Sequence, residues 1–110
     1  KETLCFNANV QVMPTVGNEI HLGYCPIACV RTGRSPCRLT RILWKVGRET
    51  QGVRVENPTC LKANEVGECE WEPLKRMVCE EFEKCEGLSR VAFLDGNAVQ
   101  LVGRVTKVWQ

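Results

Sequence analysis

Eight cysteines, Cys5, Cys25, Cys29, Cys37, Cys60, Cys69, Cys79 and Cys85, are the residues of this 110-residue chain with the most chemistry in them. They are even in number and never adjacent. A reducing compartment would leave so many thiols reactive, so the density predicts a disulfide framework and a secreted or cell-surface location. Zinc would want Cys-x2-Cys spacing, often with histidine. Here the gaps are x3, x7, x8, x9 and x5, and no metal is expected. His21 is the only histidine, so any Ser-His-Asp or Cys-His arrangement must use it. It stands between Ile20 and Leu22 in an alternating stretch, where a solvent-facing strand position accounts for it. Nothing marks two of the glutamates as an acid and base pair with separated pKa values. The expectation is therefore a non-enzymatic chain with no catalytic residues and no cofactor.

The stretch from Cys29 to Cys37 encloses Val30, Arg31, Thr32, Gly33, Arg34, Ser35 and Pro36. Turn-forming and charged residues of this kind predict an exposed loop. Closed by a disulfide, the loop would present Arg31 or Arg34 to a trypsin-like pocket. It is similar in size to the ring of Bowman-Birk inhibitors, with Arg31 and Thr32 at matching places. The prolines of that family are missing, and lost pre-organisation weakens such an inhibitor.

Strands must carry these residues. Ala8 to Val12 alternates apolar and polar residues, and alternation resumes at Ile20–Tyr24. Leu39 to Val46 puts Ile42, Trp44 and Val46 on one face, and Val53–Val55 is a short strand. Glu70 to Leu74 reads as a turn, since Pro73 argues against a central strand. Leu74 to Cys85 suits a helix by composition or a strand at Arg76–Cys79; the strand is preferred. Arg90–Leu94, Asp95-Gly96 and Asn97–Val102 form a hairpin pattern, because a type I′ turn needs positive φ at both central residues. A last strand spans Arg104–Trp109. About seven short strands with turns between them predict an all-β domain over residues 1–110, with a sandwich preferred to a barrel.

Apolar residues at 44% and charged residues at 25% suit one folded domain. No apolar run approaches the ~20 residues of a membrane helix, and the chain from Lys1 reads as a mature segment without a signal peptide. The net charge of +2 hides an asymmetry. Arg31, Arg34, Arg38, Arg41, Lys45, Arg48 and Arg54 face one acid, Glu49, whereas eight glutamates crowd Glu65–Glu86. Two solvated surfaces attracting each other within the fold account for this. The functional alternative is a basic face steering the domain to an acidic protein or a sulfated glycan. Nucleic acid is set aside on compartment and on the scatter of the aromatics. Trp44 is expected in the core. Trp71, between Glu70 and Glu72, is a candidate exposed anchor, with disulfide-flanking packing as its alternative. Asn57-Pro58-Thr59 is a glycosylation acceptor blocked by proline.

The first half resembles an immunoglobulin-like domain. Val10, Val12, Pro14, Gly17, Ile20, Leu22 and Cys25-Pro26 are similar to its A′ and B strands, and Trp44 to its strand C tryptophan. Thr3 to Ala8, with Cys25-Pro26 and Trp44, resembles the second domain of interleukin-1-type receptors. The Tyr corner of that family is missing before Cys79. The resemblance implies a disulfide-rich two-sheet antiparallel sandwich bridged Cys25–Cys79, Cys29–Cys37, Cys60–Cys69 and Cys5–Cys85. The alternative is the three-finger fold of growth-factor receptor ectodomains, which Glu2–Asn9 and Cys69–Cys79 resemble. Either implies an extracellular protein-binding module, receptor-ectodomain-like or a secreted immunomodulator, with a cytokine or growth-factor component as partner. Its contact residues are expected to be Arg31, Arg34, Arg38 and Trp71. The serine protease inhibitor is the alternative function.

Overall fold

The structure is a computed structural model, and it describes residues 3–30, 33–47, 51–76 and 90–110. Among the described residues nine strands run in chain order: β1 (Cys5–Val12), β2 (Ile20–His21), β3 (Ile27–Val30), β4 (Gly33–Val46), β5 (Val55–Glu56), β6 (Cys60–Leu61), β7 (Val66–Pro73), β8 (Arg90–Asp95) and β9 (Ala98–Trp109). Neighbours pair in the order β3-β8-β9-β1-β7-β4-β5, and β3 also pairs with β4. That last pairing closes six antiparallel strands into a barrel, with β5 added outside on β4. A closed sheet has no free edges. β2 and β6 form a separate two-stranded ribbon.

Alternation along each strand decides what fills the barrel. Phe6, Ala8, Val10 and Val12 of β1 point inward, with Leu39 and Ile42 of β4, Cys69 and Trp71 of β7, Val91 and Phe93 of β8, and Leu101 and Val105 of β9. Full burial of the valine, leucine, isoleucine and phenylalanine side chains among them contributes about 1.5–3 kcal/mol each relative to exposure. Two glycines let backbones meet where the barrel is tightest. A Cβ on Gly103 would lie 2.1 Å from the Asn9 carbonyl oxygen, and one on Gly67 would lie 2.6 Å from that of Trp44.

A buried ion pair joins Lys45 and Glu65. Lys45 Nζ lies 3.0 Å from Glu65 Oε1, with side-chain exposures of 11% and 3%. The Lys62 amide donates to the same oxygen at 2.6 Å. The turn that delivers Glu65 has Asn64 at φ 68°. It is anchored to β1, because the Val12 amide donates to the Glu65 carbonyl at 2.9 Å and the Asn64 amide to the Val12 carbonyl at 3.0 Å.

Several sequence expectations are corrected by this architecture. The domain is all-β, but it is a closed barrel, neither an immunoglobulin-like sandwich nor a three-finger fold. No disulfide joins the described cysteines: Cys5, Cys25, Cys29, Cys37, Cys60 and Cys69 are all thiols. Cys79 and Cys85 lie outside the described residues, but their expected partners Cys25 and Cys5 are unbridged. The Cys29–Cys37 segment contributes strands in place of an exposed loop. Cys29 faces Arg34 and Ile27 faces Pro36, so Cys37 sits three residues further along the ladder, about 10 Å away at ~3.4 Å per residue. A disulfide needs Cα atoms closer than about 7 Å. Cys60 lies on the outer ribbon opposite His21, whereas Cys69 is inside the barrel between Ala8 and Ile42.

The Glu70–Leu74 stretch is strand as far as Pro73, which ends β7 instead of forbidding it. Of the expected strand at Arg76–Cys79 only Arg76 is described, outside any strand, and the rest lies outside the described residues. The hairpin at the end of the chain turns one residue later than expected. Asp95 pairs with Ala98, leaving Gly96 and Asn97 as the loop. Only Gly96, at φ 64°, has the positive φ that a type I′ turn needs at both positions.

Two measurements check these features. Iodoacetamide in denaturant without prior reduction should modify all six described cysteines, and dithiothreitol should leave Tm unchanged. An unmodified pair together with a Tm that falls on reduction would reinstate a bridge. Tyr24, the only tyrosine, donates its hydroxyl to Asp95, and its pKa is pushed up to about 12. Burial is the main cause, followed by the Asp95 charge and the hydrogen bond. Its ionisation should therefore be delayed beyond the usual value of about 10, as read at 295 nm. Asp95→Asn should bring the midpoint down only part of the way, because burial remains. A midpoint near 10 in the parent protein would contradict this packing. A raised pKa means that any stabilisation tied to the neutral phenol is complete below pH ~10 and lost as pH rises towards 12.

Candidate functional site

The barrel exterior carries nearly all the charge. β4 sends out Arg38 and Arg41, and β7 sends out Glu68, Glu70 and Glu72, with Arg38 opposite Glu72 and Arg41 opposite Glu70. Arg38 and Glu72 form an ion pair. Thr40 Oγ1 donates to Glu70 Oε1 at 2.9 Å, and Thr106 Oγ1 donates to Glu68 Oε2 at 3.3 Å. Beyond the acids comes a neutral strand, with Asn7 and Asn9 of β1 facing Glu70 and Glu68. On its other side Asn7 and Asn9 face Lys107 and Arg104 of β9, and Arg104 faces Arg90 of β8. The exterior thus runs basic, acidic, neutral and basic around the barrel. Exposed pairs such as Arg38–Glu72 contribute about 0–1 kcal/mol, so this layout says more about partners than about stability.

The described members of the expected contact set, Arg34, Arg38 and Trp71, do not share one surface. Arg34 and Arg38 are exposed on β4, and Arg31 lies outside the described residues. Trp71 is fully buried, stacked on Phe93 with ring centroids 4.1 Å apart. It is a core residue and not an exposed anchor, because its neighbours Glu70 and Glu72 occupy the outer face of the same strand. Trp44, expected in the core, is instead half-buried on the outside, opposite Glu68 and Glu56. The Arg54 guanidinium covers it at 4.7 Å from the ring centre, held by Glu56 at 2.7 Å. Arg90, Arg104 and Lys107 were not singled out from the sequence. Their signal was alternation: each lies on the outward side of a strand that had been recognised.

Three of the thiols, Cys5, Cys60 and Cys69, are poorly placed for nucleophilic work. Burial, then the Glu68 charge, pushes Cys69 up to about 12. Cys5 is raised by burial and by Glu70 and Glu72. Cys60 is raised by burial and by its hydrogen bond to Glu19. A protonated thiol is neither nucleophile nor metal ligand. Among the described residues no three His, Cys, Asp or Glu side chains converge where a metal ion could sit, and no helix is long and apolar enough to cross a membrane.

Comparison with known proteins agrees with the barrel. The family model described as GTP-eEF1A C-terminal domain-like matches residues 5–106. Elongation factor 1-alpha of Desulfurococcus mucosus is 31% identical over 105 residues, covering 94% of this chain and 23% of that protein. Its counterpart from Nanoarchaeum equitans is 34% identical over 91 residues, 83% of this chain and 21% of that protein. The one from Stylonychia lemnae is 32% identical over 108 residues, 98% and 24%. The solved structure of Sup35 complexed with GDP superimposes on the whole chain with a TM-score of 0.85 at 20% identity, covering 26% of that protein. The chain therefore spans about a quarter of the length of these relatives.

These matches overturn the receptor reading. The similarity to interleukin-1-type and growth-factor receptor domains rested on short cysteine-centred stretches, whereas the family match runs along almost the whole chain. With it go the immunomodulator, the cytokine and sulfated-glycan partners and the protease inhibitor, whose ring is two paired strands. The secreted or cell-surface location falls too, since it depended on bridges that do not exist. On the closed barrel and a match spanning residues 5–106, the chain belongs to the GTP-eEF1A C-terminal domain-like family.

Proposed function

We propose that the chain is the docking domain of an elongation-factor-like translation protein: a rigid barrel that holds tRNA and performs no chemistry of its own. The family match over residues 5–106 carries this reading. Guanine-nucleotide chemistry belongs elsewhere in such a protein, because no glycine in this chain is followed by lysine and the phosphate loop G-x4-G-K-[ST] cannot be built from it. Of the two grounds for setting nucleic acid aside, the extracellular compartment has fallen, and the scatter of the aromatics bears on base stacking and not on phosphate contacts. Arg41 on β4 and Lys107 on β9 face the acidic and neutral strands from either side. They give the exterior the lysine and arginine contacts that phosphates require.

Anisotropy of labelled aminoacyl-tRNA should rise on titration with the protein. Affinity should fall about tenfold to a hundredfold between about 50 and 200 mM salt, as expected for roughly three neutralised phosphates. Arg41→Glu with Lys107→Glu should weaken binding at least about tenfold without changing Tm. No tRNA binding at low salt, together with absence from ribosome pellets, would overturn the proposal.

A further inference from the structure

β5 ends the main sheet. It pairs with β4 on one side, and among the described residues no strand pairs with its other side. Every residue from Gln51 to Asn57 is exposed, Val53 at 66% and Val55 at 37%. The Asn57 amide donates to the Leu43 carbonyl at 2.9 Å. Hydrogen-bonded and non-hydrogen-bonded positions alternate along an antiparallel pair, so Val55 also turns its backbone groups towards β4. Arg54 and Glu56 turn theirs away, to the open edge. Side chains alternate between the two faces. Arg54 and Glu56 stand on the outer face with Trp44, bound to each other at 2.7 Å, whereas Val53 and Val55 stand on the opposite face, open to solvent.

We propose that this edge pairs with the same edge of a second copy of the chain, antiparallel about a two-fold axis at Val55. Centred there, Arg54 of each copy lies opposite Glu56 of the other, and these are the residues whose backbone groups reach the edge. Each such pair exchanges both backbone hydrogen bonds. The Arg54–Glu56 contact within each copy is kept and extended across the axis, so charge sets the register while the backbone and the valines supply the attraction. Centring on Arg54 or on Glu56 would set like charges opposite each other, which is destabilising. On the other face Val55 meets its own copy, and each Val53 lies diagonal to Val55 of the other copy, the next nearest position across the pair. An isologous contact needs a surface complementary to itself, and Val53-Arg54-Val55-Glu56 is one. The strand is short, so the contact buries less than the roughly 1,000 Å² of a stable interface, and the dimer is a weak one. This inference is independent of the tRNA reading, which uses Arg41 and Lys107.

Sedimentation equilibrium of the whole chain, from about 5 to about 500 µM, reads the dimer directly, and half-association near about 100 µM suits so small a contact. Val55→Lys sets two charges together at the axis and should weaken association at least about tenfold, with Tm unchanged because the site is exposed. Arg54→Glu alone and Glu56→Arg alone should each weaken it about tenfold, since like charges then face one another. A mixture of those two variants should associate as well as the parent, because opposite charges meet again at both positions. A parent chain that stays monomeric at about 500 µM would overturn the proposal. So would a dimer indifferent to Val55→Lys, or a mixture no better than its components, since either puts the contact elsewhere. Binding of a fluorescein-labelled Thr-Val-Thr-Val-Thr peptide to a chain that is itself monomeric would assign the edge to a foreign strand and overturn self-pairing.

Discussion

Glu65→Ala should destabilise the protein by about 3–5 kcal/mol, the usual effect of removing one partner of a buried ion pair. The Lys45 ammonium would keep its buried place with no counter-charge, and the Lys62 amide would lose its acceptor. There is little room for the barrel to adjust. A Cβ on Gly47 would already lie 2.7 Å from Glu65 Cγ, so the carboxylate side chain is tightly packed there. Urea denaturation should give a lower midpoint with an unchanged m-value. Glu65→Gln separates charge from shape: it can still accept from Lys62 but leaves Lys45 uncompensated, so it should recover only part of the loss. The double change Lys45→Met with Glu65→Leu should recover most of it, since apolar replacement of a whole buried pair is often neutral or stabilising. A cost below about 1 kcal/mol for Glu65→Ala would mean that the pair is hydrated.

Trp71→Ala is the second large effect, again about 3–5 kcal/mol, through lost burial and the cavity left behind. Trp71 faces Phe6 on one neighbouring strand and Leu39 on the other, besides stacking on Phe93. One truncation thus removes contacts with three strands. Trp71→Phe should cost less than half as much, because it keeps an aromatic partner for Phe93. Emission spectra give an independent check. Trp44 is half-buried and Trp109 is 36% exposed, so the bluest emission should vanish with Trp71. An exposed contact tryptophan would cost less than about 0.5 kcal/mol on truncation.

Trp71 also illustrates how the sequence was readable and where it misled. Gly67-Glu68-Cys69-Glu70-Trp71-Glu72 alternates as cleanly as any strand in the chain, and its inward set is the core of β7. Pro73 drew attention to a turn, although a proline closing a strand removes only one donor at its end. The same happened at Ser35-Pro36-Cys37-Arg38-Leu39, where Ser35, Cys37 and Leu39 are the buried set. Reading Cys37 as half of a crosslink concealed its use as a small apolar residue in an alternating pattern, a common role for an unbridged cysteine. β1, the second half of β4, and the β8–β9 hairpin were legible because their apolar residues are large and aliphatic. Barrel closure was not. It depends on β3 pairing with β8 as well as with β4, and no local pattern encodes a contact between residues 27 and 94. The exterior was partly legible. The basic and acidic segments do face each other on β4 and β7, but the second basic strand, β9, has its charges spaced among valines and formed no run to notice.

Closure of this barrel has a consequence for how fast it can form. β1 lies between β7 and β9, so both of its neighbours come from the far half of the chain. Cys5 pairs with Trp109, a loop that takes in almost every residue. The entropy of closing a loop grows only as (3/2)RT ln n, but it must be met before the first contact of that pairing forms. Topologies dominated by such pairings fold in milliseconds to seconds, where helical bundles of similar size need microseconds to milliseconds. On a growing polypeptide, β1 must wait for nearly a hundred further residues before its second edge is satisfied.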